Sequence, residues 1–96
     1  MSEKRVHEYK ITFGHLKNNK GEPVNEELEL LFQNHDNISK IIEALLEKDL
    51  FKEKSQTVQF VIGLKLFGDI VMKNRDMELF SNFQPAFMEF MKKLKK

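Results

Sequence analysis

There is no cysteine in the 96 residues. That one absence removes disulfide frameworks, cysteine-based zinc sites and thiol nucleophiles together. Charge of one sign is also missing. The formal net charge is +1, so no overall field draws the chain toward nucleic acid or an acidic membrane. No apolar run approaches the roughly 20 uninterrupted residues a bilayer crossing needs. The opening Met1-Ser2-Glu3-Lys4-Arg5 is not followed by an apolar stretch of the secretory kind, and the expected compartment is the cytoplasm. No internal repeat, low-complexity tract or long linker divides the chain. A single domain over residues 1–96 is therefore expected.

What is present is a foldable composition. Hydrophobic residues make up 41%, nine of them Phe, which is too apolar for a disordered chain. At 32% charged, the remainder is an ordinary solvated surface. A domain this small buries a core with little surplus.

Ser55 to Arg75 is the longest apolar segment and the wall on which other elements are expected to pack. Phe60, Leu64, Phe67 and Val71 form one row at helical spacing, with Val61 and Met72 on one side and Gly63 and Ile70 on the other. Lys65, Asp69 and Lys73 recur every fourth residue and make one narrow polar stripe. A helix apolar nearly all round is expected to be buried on several sides. Ser55 is its expected N-cap and Asn74 its stop. Gly63 and Gly68 each weaken a helix by roughly 1 kcal/mol relative to alanine, and close approach of another backbone is the expected compensation.

Taken in order, Val6 to Leu16 alternates as a strand, with His7, Tyr9, Ile11, Phe13 and His15 facing a core. Lys17 to Pro23 is a turn rich in Asn and Gly. Val24 to Gln33 returns as a second strand with Leu28, Leu30 and Phe32 inward, and Lys10 is expected across from Glu27 or Glu29. A lone hairpin is marginal in water, so its apolar face is expected to lie on helices. Asp36 is the expected N-cap of a helix whose Ile38, Ile41, Ile42, Leu45 and Leu46 make one stripe. After the central helix, Asp76 is expected to cap a short turn holding Met77, Leu79 and Phe80. Pro85 then opens a last helix with Phe83, Phe87, Phe90, Met91 and Leu94 on its apolar face. The expected fold is α+β: an N-terminal two-stranded antiparallel hairpin packed on three helices, the central buried one at about residues 55–74.

Several runs carry a family resemblance. Gly63-Leu64-Lys65-Leu66-Phe67, Met72-Lys73-Asn74-Arg75, Leu79-Phe80, Pro85-Ala86-Phe87 and Glu89 to Lys95 resemble the C-terminal half of a bacterial family, domain of unknown function 3861. Tyr9-Lys10-Ile11-Thr12 and Asn34-His35-Asp36 resemble its N-terminal part. The resemblance covers nearly the whole chain. It implies a small bacterial cytoplasmic protein and brings no catalytic or binding residues with it.

No reactive constellation emerges. His7 and His15 share a strand face but lie ~26 Å apart along it, beyond one coordination sphere, and there is no HExxH. Glu26, Glu27, Glu29, Glu43 and Glu47 read as surface charge. No Ser-His-Asp order, P-loop or GxGxxG is present. Catalytic residues, cofactor-binding residues and metal ligands are accordingly assigned as none, no cofactor is expected, and a non-enzymatic role is favoured. Lys92 to Lys96 suit the C-terminal end of a helix dipole. Tyr9 and Phe13 read as core, since an RNA-stacking platform needs a four-stranded sheet. Phe83, Phe87, Phe90 and the methionines Met72, Met77, Met88 and Met91 form the richest aromatic and thioether cluster. Most of it is expected in the core, with Met88 and Ala86 as the exposed contact residues.

The leading expectation for function is an interaction module that self-associates as a homodimer, through a sheet edge or the last helix, or that binds another protein, without membrane contact. A Phe- and Met-lined pocket for a small molecule or for enzyme chemistry is the second reading. A nucleic-acid accessory acting through the basic tail is the third; nucleic acid is not an expected partner.

Overall fold

The computed structural model describes residues 5–95. Two strands, β1 (His7–Lys17) and β2 (Pro23–Asn34), precede four helices: α1 (Ile38–Glu47), α2 (Lys54–Lys73), α3 (Glu78–Ser81) and α4 (Gln84–Leu94). The class is α+β, an antiparallel hairpin followed by helices, as the alternation and the helical stripes predict. Two compact units divide the chain, Met1–Ile41 and Ile42–Lys96, and the boundary falls inside α1.

In the first unit, β1 and β2 pair from His7 opposite Asn34 to His15 opposite Glu26, with an irregularity between His15 and Lys17. The turn is held by one side chain. Asn18 Oδ1 accepts the N–H groups of Lys20 and Glu22, both at 2.9 Å, and its Nδ2 donates to Glu22 Oε1 at 2.7 Å. Gly21 takes φ 81°, a left-handed conformation that glycine adopts without strain. Lys10 reaches Glu29 diagonally, at 3.7 Å, because the residue directly opposite Lys10 is Leu31.

Burial along the hairpin is graded. Tyr9, Ile11 and Phe32 are half-buried, and the Tyr9 and Phe32 rings lie 5.3 Å apart. The Tyr9 hydroxyl donates to the Asp36 carbonyl at 2.7 Å and accepts the Ile38 N–H at 3.0 Å. It thereby occupies one of the orphan donors of the α1 N-terminus. Phe13 and Leu28, expected in the core, are instead 68% and 67% exposed. The covering residues of this unit gather at the open end of the hairpin, where Tyr9 ties them. At ~3.3 Å per residue the strands carry Phe13 ~13 Å beyond that tie.

The caps depart from expectation at three places. Asn37, not Asp36, caps α1: its carbonyl accepts from Lys40 and Ile41, and its Oδ1 accepts from Lys40 at 3.3 Å. Ser55 lies inside α2, which starts from an extended Glu53 without a side-chain cap. Asp76 does not cap α3 either; Met77 holds that position, and its N–H donates to Asn74 O at 2.9 Å. The starts lie one or two residues from the expected ones, the range over which helix ends vary, and neither α2 nor α3 begins with a side-chain cap. The α2 stop is as expected. Asn74 donates from both its backbone N–H and its Nδ2 to Ile70 O, at 3.1 and 2.8 Å.

In the second unit, α2 carries the core. Val61 and Val71 are fully buried, and so is Thr57. Among the described residues, no buried side-chain nitrogen or oxygen lacks a partner. Phe87 of α4 packs on the same face, 5% exposed, with its ring Cζ 3.3 Å from the place a Cβ on Gly68 would take. Gln84 Nε2 donates to Val71 O at 3.4 Å and pins the start of α4 to the end of α2.

Candidate interaction surface

The other face of α2 does not follow the expectation of burial on several sides. Phe67, Ile70 and Met72 are 48%, 49% and 44% exposed. The apolar residues wrap the helix, but Thr57, Val61, Gly68 and Val71 lie on its most deeply covered side, with the half-buried Leu64 beside them. At 100° per residue these four span a narrow sector, and Gly63, Phe67 and Ile70 fall outside it.

Phe67 is central to an aromatic cluster that is open on one side. Its ring lies 6.4 Å from Phe80, 5.8 Å from Phe83 and 6.4 Å from Phe87. A second chain of rings runs Phe51 to Phe60 to Phe90, at 5.3 and 6.2 Å. Such tilted and edge contacts favour aromatic pairs beyond their buried area.

Two clefts adjoin at Leu64 and Phe67. One, of about 470 Å³, runs along α2 past Phe51, Phe60 and Gly63, with Gln56 and Gln59 as its polar lining. The other, of about 380 Å³, lies between α2 and α4 and is walled by Phe83, Ala86, Phe87 and Phe90. No charged residue lines either one, in a chain that is 32% charged. Both are open clefts, and the only polar side chains they offer are the two glutamines.

The two glycines of α2 separate here. Gly68 meets Phe87, which is the compensation expected of it. At Gly63 an added Cβ would meet nothing within 4 Å, so its cost of ~1 kcal/mol to the helix goes without a packing return among the described residues.

The remaining expected residues scatter. Phe83, Phe90, Met72 and Met77 are exposed rather than core; Phe87 alone of the cluster is buried, and Met91 is half-buried. These side chains are spread over the end of α2, the start of α3 and α4, and do not all turn toward one neighbour. Met88 and Ala86 are exposed as expected, and Ala86 lines the second cleft. His15 Nδ1 lies 3.1 Å from Glu26 Oε1, and His7 packs its ring 6.2 Å from Tyr9. Among the described residues no three His, Asp or Glu side chains gather as a metal site. Lys92 and Lys93 end α4 in its last turn, followed by Lys95; Lys96 lies outside the described residues. No described helix is long and apolar enough to cross a membrane. Sequence reasoning placed Gly63 with the packed glycines and missed its part in the cleft; its position seven residues before Ile70, on one helical face, was the available signal.

Residues 7–96 match the model of the family DUF3861, a Domain of Unknown Function with a solved structure. The chain belongs to this family. Its fold is also that of a crystal structure from Pectobacterium atrosepticum SCRI1043, a protein of unknown function. The two are 32% identical and superpose with a TM-score of 0.83 over 95% of this chain and 98% of that one. No curated protein matches the chain. The family and its bacterial relative bring a fold and no assigned activity.

Proposed function

We propose that this chain is a non-enzymatic interaction module of the bacterial cytoplasm, acting as one domain and self-associating as a homodimer. The observation that supports the reading is the uncharged double cleft with its half-exposed Phe67, Phe83 and Phe90. Exposed apolar patches of this kind mark interaction sites in soluble proteins. A catalytic or ligand-selective pocket needs convergent polar groups, and two glutamines in open clefts offer few. A dimer needs no such groups at its centre, where charged residues are depleted and aromatic residues and Met enriched.

Light scattering across a dilution series tests the reading. A mass of twice 11.4 kDa that persists into the low micromolar range supports it. A monomer at every concentration overturns it.

A further inference from the structure

On α2, Gln56, Phe60, Gly63, Phe67 and Ile70 succeed one another at spacings of four, three, four and three. That is the heptad spacing of a helix seam that packs against another helix. Every residue of the row is at least partly exposed, and Gln56, Gly63, Phe67 and Ile70 are classed with the exposed surface. The row borders the packed face of Thr57, Val61, Gly68 and Val71, and on that side Phe60 meets Phe90 while Phe67 meets Phe83 and Phe87. The third side carries Lys65, Asp69 and Lys73 with the half-buried Val58, Ile62 and Leu66 among them, and offers no uncharged row at heptad spacing.

We infer that α2 packs along this seam against α2 of a second copy of the chain, and that the two helices cross at Gly63. The inference rests on the self-associating reading and names its interface. Three observations carry it. Gly63 sits at the middle of the row with open space where its Cβ would be, so a second helix can approach its backbone. The row carries no charge. A two-fold interface brings a surface against itself, and a charge near the axis would then meet its own copy. Gln56 and Gln59, each both donor and acceptor, are the polar residues compatible with such self-pairing.

The third observation is area. At ~200 Å² for a large side chain, the exposed parts of Phe67 and Ile70 on the row, with those of Phe83 and Phe90 beside it on α4 and its start, amount to roughly 350 Å². This reaches the size of the largest patch on a typical monomer, ~300–600 Å². It also supplies the apolar centre of a standard interface of ~800 Å² per partner. The half-buried Phe51, Phe60 and Leu64 extend it along the clefts, and a polar rim completes such an interface.

The absence of cysteine makes the test clean. Gly63→Cys, oxidised at low micromolar concentration, is expected to yield a disulfide-linked dimer, because a helix crossing brings the two Cα atoms near the ~4.4–6.8 Å a disulfide spans. Glu43→Cys, exposed on α1, is the control and is expected to stay uncrosslinked. Gly63→Leu fills the crossing point and is expected to weaken association by ~100-fold, the scale of one interface hot spot. It leaves the helical circular dichroism intact, since nothing in its own chain stands in the way. A wild-type dimer whose Gly63→Cys form does not crosslink and whose Gly63→Leu form still associates overturns this interface while self-association stands. So does a Glu43→Cys control that crosslinks as readily as Gly63→Cys. A wild-type monomer at all concentrations overturns both.

Discussion

The two long faces of α2 differ less in composition than in what meets them. One carries the buried Val61 and Val71 with Gly68 under the Phe87 ring and is closed. The other presents Phe60, Gly63, Phe67 and Ile70 and is open, although its side chains are the larger and more apolar ones. Each face carries one glycine, and each glycine weakens the helix by the same intrinsic amount. Only on the closed face does the chain itself use the space. Hydrophobicity therefore does not sort the two faces, and the space around the glycines does.

The largest expected effect lies on the closed face. Phe87→Ala removes a 5% exposed ring that packs over Gly68 and against the rings of Phe67 and Phe83. Loss of such a ring costs about 3–5 kcal/mol. Phe67→Ala, with 48% of its surface already in water, is expected to cost the isolated protomer about half as much. Urea unfolding at a protein concentration low enough for the midpoint to stop depending on it measures both. Equal losses at the two positions would erase the distinction between the faces.

The glycines are expected to part in sign. Gly63→Ala recovers helix propensity with no clash and should stabilise the protomer by up to about 1 kcal/mol. Gly68→Ala recovers the same amount but sets its Cβ 3.3 Å from Phe87 Cζ. That ring pairs with Phe67 and Phe83 at 6.4 and 5.4 Å, so a shift that relieves the contact disturbs both pairs. Overpacking of about 1–3 kcal/mol then outweighs the gain, for a net loss of about 1 kcal/mol. The same denaturation series decides it, and a stabilising Gly68→Ala would show the closed face to be looser than its distances imply.

Much of this helix was legible before its structure. The 3.6-residue rows, the Asn74 stop and the Lys65-Asp69-Lys73 stripe follow from local rules that act within one or two turns, and the structure has them. The hairpin was legible for the same reason: strict alternation from His7 to His15, a turn built on Asn18 and Gly21, and a matching return. What could not be read was which of several apolar rows is covered. Periodicity says that Phe67 and Val71 are both apolar; it does not say that Val71 is closed over while Phe67, with three rings beside it, stays half open. The same gap placed Phe13 in a core it does not enter, since alternation gives a side but not how far cover extends along a strand. The capping errors are of another kind. Asn34, Asp36 and Asn37 are all able to cap, and Tyr9, which takes the Asp36 carbonyl and the Ile38 N–H, lies 27 and 29 residues away in sequence. Interactions at that separation leave no local trace.

The C-terminal end of α2 belongs to neither face, and a smaller effect is expected there. Asn74→Ala removes the 2.8 Å bond from Nδ2 to Ile70 O but keeps the backbone N–H on the same carbonyl. With that acceptor still occupied and water near, the loss should be about 0.5–1 kcal/mol. It is expected to appear as earlier fraying of residues 70–74 in amide hydrogen exchange, with the exchange of Val61 unchanged. Faster exchange at Val61 as well would mean that the closed face is held from its end rather than by Phe87.

The third, polar stripe gives the smallest effect and sets the solvent baseline for the other two. Lys73 Nζ lies 3.0 Å from Asp69 Oδ2, four residues apart on the helix, and the lysine is 68% exposed. An exposed pair at this spacing contributes about 0.3–0.5 kcal/mol, and the acidic residue preceding the basic one is the orientation the helix dipole favours. Asp69→Asn should therefore lower stability by that amount in dilute buffer. The difference from wild type should shrink at high salt, where the screening length falls to about 3 Å at 1 M. Asp69 lies away from the Gln56-to-Ile70 row, so its loss should leave the concentration dependence of the mass untouched. If Asp69→Asn weakened association as Gly63→Leu is expected to, the surface between copies would have to reach round the polar side of α2. The open apolar face would then be only part of it.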